Sequence, residues 1–209
     1  EVNDCIKCEE YEVGDTFFYN GNEILVADID IINHAIQTNQ DLSRFCVSHI
    51  TDMSFLFSEL SDFNQDISKW DVSSVTDMDG MFQSATSFNR DLNAWDVSSV
   101  TNMERMFANA WAFNGDISNW DVSNVYTMSE MFAGDSLFNI DLSEWNTTSL
   151  LDISGMFRDA KSFNQSLSNW NVSAVVTMSE TFADCFNFNQ DLSKWDVSNV
   201  SDMTSLFMM

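Results

Sequence analysis

The sequence predicts an α/β repeat solenoid: stacked 25-residue coils, each with a short parallel strand and a short helix, covered at the N-terminal end by a hairpin-helix cap. Three observations predict it. A Phe-Asn pair recurs every 25 residues, at Phe63-Asn64, Phe88-Asn89, Phe113-Asn114, Phe138-Asn139, Phe163-Asn164 and Phe188-Asn189, with Thr38-Asn39 as a degenerate first copy. Each pair is followed, without insertions, by an aromatic column (Phe45, Trp70, Trp95, Trp120, Trp145, Trp170, Trp195), a Met column (Met53, Met78, Met103, Met128, Ile153, Met178, Met203) and a closing Phe (Phe57, Phe82, Phe107, Phe132, Phe157, Phe182, Phe207). A unit this short cannot bury so many large side chains alone, so neighbouring units must stack and place each column against its counterpart.

Residues 1–37 break the period and read as the cap. Thr16-Phe17-Phe18-Tyr19 and Ile24-Leu25-Val26 flank Asn20-Gly21-Asn22, the signal of a hairpin with a tight turn. Asp28 to Gln37 follows as a short helix with Ile31, Ile32 and Ala35 on its apolar face, laid over the first coil. Residues 38–209 then hold about seven units. Within one of them, Ser73-Ser74-Val75-Thr76 is the strand, and Met78, Met81 and Phe82, at i, i+3 and i+4, are the inward face of the helix. Thr101 with Glu104, Thr127 with Glu130 and Thr177 with Glu180 have the spacing of a capping box, and the small column Ala85, Ala110 and Ala160 marks the helix end. The last residues, Leu206, Phe207, Met208 and Met209, lie inside a unit and leave this end open, for further coils or for self-association with another molecule.

Composition narrows the function. With 33 Asp and Glu against 8 Lys and Arg the formal charge is −25, a field that repels phosphate backbones and anionic lipid heads, so neither nucleic acid nor a membrane surface is an expected partner. No apolar run is long enough to insert in a bilayer. His34 and His49 are isolated, and no Ser, His and Asp grouping stands apart from the repeat, so no catalytic residue is assigned.

The repeated polar residues have two kinds of role. Asn39, Asn64, Asn89, Asn114, Asn139, Asn164 and Asn189 form an expected ladder whose amides satisfy buried backbone groups at a turn, and the six Trp residues of the aromatic column form a structural ladder beside it. Three Asp columns run along the stack: Asp41, Asp66, Asp91, Asp116, Asp141 and Asp191; Asp71, Asp96, Asp121 and Asp196; and Asp52, Asp77, Asp152 and Asp202. Coils about 4.8 Å apart set like charges against each other at a cost of roughly 1 kcal/mol even in water. Two readings offset it. Ca²⁺ is held between successive coils, by Asp66, Asp91, Asp116, Asp141 and Asp191 above all, or each Asp accepts turn N–H bonds from its own backbone. Beyond such Ca²⁺, no cofactor is required.

Cys5 and Cys8 form a CxxC, and a disulfide from one of them to Cys46 is expected in an oxidising compartment. Cys185 takes a place in the small-residue column and is expected as a buried thiol. Sequons begin at Asn146, Asn164, Asn171 and Asn199; with Asn164 assigned to the ladder, Asn146, Asn171 and Asn199 are the candidate glycosylation sites. Trp111, outside the Trp column, is a candidate contact residue.

The unit Phe-Asn-Gln-Asp-Ile-Ser-Lys-Trp-Asp-Val-Ser-Ser-Val-Thr-Asp-Met-Asp-Gly-Met-Phe at residues 63–82 closely resembles the BspA-like surface-protein repeat, the DUF285 or lipoprotein 25/26-residue repeat. The stretch from Val13-Gly14-Asp15-Thr16 through Ile50-Thr51-Asp52-Met53 also resembles the segment that often leads into these repeats, so the resemblance covers nearly the whole chain. It implies a leucine-rich-repeat-like solenoid on secreted or surface-anchored proteins, with adhesion or protein binding and no catalysis. The expected function is a non-catalytic scaffold at an extracellular surface, of a cell or a virion, that binds a protein or glycan on another surface. The alternative is a structural subunit that assembles end to end into a filament or lattice.

Overall fold

Two left-handed residues, Asn20 (φ 49°) and Gly21 (φ 80°), turn the chain between β1 (Thr16–Tyr19) and β2 (Asn22–Val26) in a computed structural model that describes residues 5–209. Positive φ at both central residues matches the right-handed twist of the flanking strands. β1 lies antiparallel to β2, with Thr16 opposite Leu25 and Tyr19 opposite Asn22. The other edge of β2 pairs in parallel with the two-residue β3 (Phe45–Cys46), giving the order β1-β2-β3, so main-chain bonds join the hairpin to the first coil. Between them runs α1 (Ile29–Gln37), started by the Asp28 carboxylate accepting the Ile31 N–H at 3.0 Å and anchored by buried Ile32 and Ala35. A 3₁₀ turn over Leu42–Arg44 leads into β3. The segment before β1 also joins the stack: Ile6 N–H donates to the Lys69 carbonyl at 2.8 Å in the second coil.

From residue 51 onward, equivalent residues 25 apart bond to one another. Asp52, Asp77, Asn102, Thr127, Asp152, Thr177 and Asp202 form one continuous row of parallel bridges. Beside it, Thr76, Thr101, Tyr126, Leu151, Val176 and Ser201 each donate N–H to the residue 25 before them, at 2.8 to 3.0 Å. The strand expected over Ser73–Thr76 therefore contracts to a single bridged residue, shifted to Asp77.

The helix expected in each unit does not form; among the described residues α1 is the one α-helix. In the coil of Met78, the N–H groups of Met78, Gly80, Phe82 and Ser84 point at the next coil and donate to Asn102, Glu104, Met106 and Ala108 at 3.0, 2.8, 2.8 and 2.8 Å. The intervening Met81, Gln83 and Ala85 close turns on the residues three before them. An α-helix spends every N–H on its own i−4 carbonyl, so it cannot supply these intercoil bonds. The conformation needs left-handed residues twice per unit, at Gly80 and Ser84 here and at Arg105 and Asn109, Glu130 and Gly134, Gly155 and Asp159, and Glu180 and Asp184 in the following coils. Each non-glycine residue held there costs roughly 1–2 kcal/mol, and the intercoil bonds offset it. The capping boxes are not used: Glu130 and Glu180 donate N–H to Ser154 and Thr204 of the next coils, and Glu104 N–H goes to the Asn102 side chain at 3.0 Å.

The alternating turns aim two Phe residues per coil inward as a stacked pair, Phe57 with Phe63 at 4.0 Å between ring centroids and Phe132 with Phe138 at 3.8 Å. Each pair stacks on the next, with Phe107 to Phe132 at 5.8 Å and Phe113 to Phe138 at 6.2 Å, so two columns of rings fill the core. A third column, of Trp, has centroids 6.5 Å apart at Trp95 and Trp120 and 6.2 Å at Trp145 and Trp170. Aromatic pairs contribute about 0.5–1.5 kcal/mol each beyond the area they bury.

Candidate functional site

An indole buried in such a core needs a partner for its N–H. All six Trp of the column use the same one, a carbonyl 28 residues earlier: Trp70 on Leu42, Trp95 on Ile67, Trp120 on Leu92, Trp145 on Ile117, Trp170 on Leu142 and Trp195 on Leu167, at 2.9 to 3.2 Å. The Asn ladder also forms, with a different meaning. Asn89, Asn114, Asn139, Asn164 and Asn189 donate backbone N–H to the side-chain oxygen of the Asn one coil earlier, at 2.9 to 3.2 Å, but those side chains line the surface rather than the interior. Asn39 is outside the ladder; it sits left-handed (φ 52°) after α1, where the chain has not yet entered the repeating path.

The Asp columns are turn residues. Asp66, Asp91, Asp116, Asp141 and Asp191 each accept the N–H two residues on, at 2.9 to 3.0 Å, as Asp41 does from Ser43. The other two columns repeat the pattern, for example Asp96 with Ser98 and Asp152 with Ser154. The Ser68 hydroxyl and N–H hold the Asp66 carboxyl below the usual carboxylate range. Among the described residues no three His, Cys, Asp or Glu side chains converge to hold a metal ion. The turn bonds are the second of the two roles expected for these aspartates: one oxygen of each is engaged by the N–H two residues on.

The disulfide joins Cys8 to Cys46, with Cα atoms 6.2 Å apart, and Cys5 instead donates its thiol to the Ala94 carbonyl at 3.5 Å. The bond sits in a buried polar cluster. Ser48 accepts the Cys8 N–H at 3.4 Å and donates its hydroxyl to buried Asp71 at 2.8 Å. Cys185 is a buried thiol on the Ala160 carbonyl at 3.1 Å, pushed up to about 12 by burial. Asn146, Asn171 and Asn199 are exposed, as is Asn164; Asn146 and Asn171 accept turn N–H bonds from Thr148 and Ser173, and Asn199 donates to the Ser173 carbonyl at 2.7 Å.

One buried group has no counterpart among the expected sites. Asp135 stands in the column of Ala85, Ala110, Ala160 and Cys185, fully buried, and neither carboxyl oxygen meets a hydrogen-bond partner. Burial pushes its carboxyl up to about 9. The signal was present in the sequence as a charged residue at a place the period reserves for small ones.

Outward-facing positions carry four features. Tyr126, Leu151 and Val176 occupy one register on consecutive coils, each close to half exposed, and make an apolar stripe beside the bridge row. The neighbouring outward register holds Asn124, Ser149 and Ala174 and the bridge row on the other side Thr127, Asp152 and Thr177, so one carboxylate borders the stripe on a strongly acidic chain. Trp111 is 57% exposed and borders a shallow cleft with Asn109, Ser136, Asp159 and Lys161. A larger cleft of about 560 Å³ opens between α1 and the second coil, lined by Ile36, Leu42, Leu60, Phe63, Glu59 and Asp62 among others. At the last coil Phe207 and Met208 are half exposed and Met209 more so, while Leu206 packs partly against the core. Phe207 still stacks on Phe182 at 5.5 Å. Among the described residues no helix is long and apolar enough to cross a membrane.

A family model described as "Mycoplasma protein of unknown function, DUF285" matches residues 29–139 and 113–209. No curated protein and no solved structure matches the chain.

Proposed function

The chain belongs to the DUF285 family, and from its stacked coils we propose that it is a non-catalytic solenoid, leucine-rich-repeat-like in its winding, that serves as a protein-binding or adhesion scaffold at an extracellular surface. The observation that carries the reading is the stripe of Tyr126, Leu151 and Val176. Most of the surface is polar or negative, yet here three consecutive coils turn large apolar side chains outward at a register whose N–H groups bond from coil to coil and hold them in line. An apolar patch bordered by a single carboxylate on a strongly acidic chain favours association there and discourages it elsewhere. A rigid aromatic core supports such a surface without a change of shape on binding. The Cys8–Cys46 bond supports an oxidising compartment.

The test captures extracellular proteins on immobilised chain and compares Tyr126→Asp/Leu151→Asp with the unaltered chain. The reading expects a partner held by the unaltered chain and released by the double variant; equal recovery on both surfaces refutes it. The second reading is end-to-end assembly of the chain through Leu206, Phe207, Met208 and Met209 into a filament or lattice. Light scattering decides it: assembly requires a mass that rises with concentration and falls in Phe207→Asp.

A further inference from the structure

We infer that the cleft between α1 and the second coil is a socket for an arginine side chain presented by a partner protein. The inference rests on the scaffold reading and names the chemistry of one contact.

The cleft exists because the aromatic core has a first member. Phe88, Phe113, Phe138, Phe163 and Phe188 each stack on the Phe one coil earlier, at 5.6 to 6.2 Å. Phe63 has no predecessor, since the equivalent residue is Thr38 at the end of α1. The space on that side is bounded by Ile36, Leu42 and Leu60, and Leu60 itself stands where later coils have Ala85 and Ala110. The result is an apolar floor ending on an aromatic residue.

Its rim is negative. Glu59 and Asp62 line the opening, no Lys or Arg lines it, and among the described residues neither carboxylate enters an ion pair. The Glu59 backbone is pinned, left-handed at φ 62° with its N–H on the Gln83 carbonyl at 2.7 Å, so its carboxylate is presented from a fixed point. An aliphatic stem needs apolar walls; a delocalised cation needs carboxylates and tolerates an aromatic neighbour. Arginine carries both parts in one side chain. A chain of formal charge −25 also draws cationic segments toward it at long range.

The experiment titrates ¹⁵N-labelled chain with short Gly-Ser peptides whose central residue is arginine, lysine or citrulline, followed by NMR. Shifts should cluster at residues 59–65, strongest for arginine and weakest for neutral, isosteric citrulline. Glu59→Gln/Asp62→Asn should weaken the arginine peptide by about tenfold or more, the loss expected for removing charged hydrogen-bond partners. Glu10→Gln/Glu12→Gln removes equal charge from exposed cap positions and should change affinity less than about twofold, as a purely long-range effect would at moderate salt. Equal weakening by both double variants, binding of citrulline as tight as arginine, or no shifts at residues 59–65 would overturn the socket. Those outcomes with partner capture by the Tyr126 face intact remove the socket alone; loss of capture as well removes the scaffold reading.

Discussion

Replacing Asp135 with alanine removes an ionisable group from the middle of the aromatic core and restores the residue found there in the coils of Ala110 and Ala160. With its ordinary value of 3.8 raised to about 9 by burial, the carboxyl stays protonated in the folded chain at neutral pH but ionises freely once unfolded. The folded state then binds more protons than the unfolded state, so stability falls as pH rises, from about pH 4 until the folded group itself titrates near 9. At about 1.4 kcal/mol per pH unit, the penalty at pH 7 is about 4 kcal/mol, and it is nearly absent at pH 4. Asp135→Ala should therefore be more stable at pH 7 by about 4 kcal/mol, with the gap widening toward pH 9 and closing toward pH 4. Urea denaturation followed by Trp fluorescence at pH 4, 7 and 9 measures it. A gap that does not change with pH, or a variant less stable than the parent at pH 7, would refute the assignment of Asp135 as a buried, unpartnered carboxyl.

Three further outcomes follow from the same geometry. Trp120→Phe deletes the indole N–H that satisfies the buried Leu92 carbonyl and leaves a gap in the Trp column; a loss of about 2–4 kcal/mol is expected, read as a lower urea midpoint at unchanged slope. Opening the Cys8–Cys46 bond, by Cys8→Ser/Cys46→Ser, frees a loop with a sequence separation of 38 and should cost about 3–4 kcal/mol; no difference in thermal midpoint between the parent and this variant would show that the bond does not form. Ser84→Gly relieves a left-handed residue (φ 58°) whose N–H stays bound to the Ala108 carbonyl, and should raise stability by about 1 kcal/mol, whereas a helix at this place would be weakened by the same change.

That last contrast also locates the boundary of what was legible in the sequence. The period, the stacked columns and the turn roles available to Asp were readable because each is a statement about residue identity at fixed spacing, and stacking follows from the inability of a short unit to bury Phe and Trp by itself. The hairpin was readable because Asn20-Gly21 supplies the two positive φ values a tight turn needs. The local conformation of the unit was not. Met78, Met81 and Phe82 point inward at helical spacing, yet a chain of turns that sends alternate N–H groups to its neighbour returns the same side chains to the core. Hydrophobic periodicity reports direction only, and two backbones satisfied it.

What separated the two backbones was the fate of the N–H groups, and the residues that reveal it are those with φ above zero. Gly80, Gly134 and Gly155 occupy left-handed positions in three of the coils, which a helix would not reward. Their registers alternate with Arg105, Asn109, Glu130, Asp159 and Glu180, so no glycine column survives to announce the turn. Tolerance of that cost has a structural source. Each coil gains donors to the next along several residues, and Arg158 over Gly155 bonds Glu130 and Glu180 at 2.8 Å on either side, tying three left-handed positions together. Gly80 makes similar use of its missing side chain: a Cβ there would meet the Phe55 ring at 2.5 Å, and Phe55 in turn lies under Arg105 at 5.8 Å. The glycines thus mark where a side chain of the preceding coil crosses the turn, Phe55 at Gly80, Asn109 at Gly134 and Glu130 at Gly155. An exchange such as Gly155→Glu would fill that crossing with a third carboxylate beside Glu130 and Glu180. The two kinds of left-handed position are therefore not interchangeable, even though their backbones are the same.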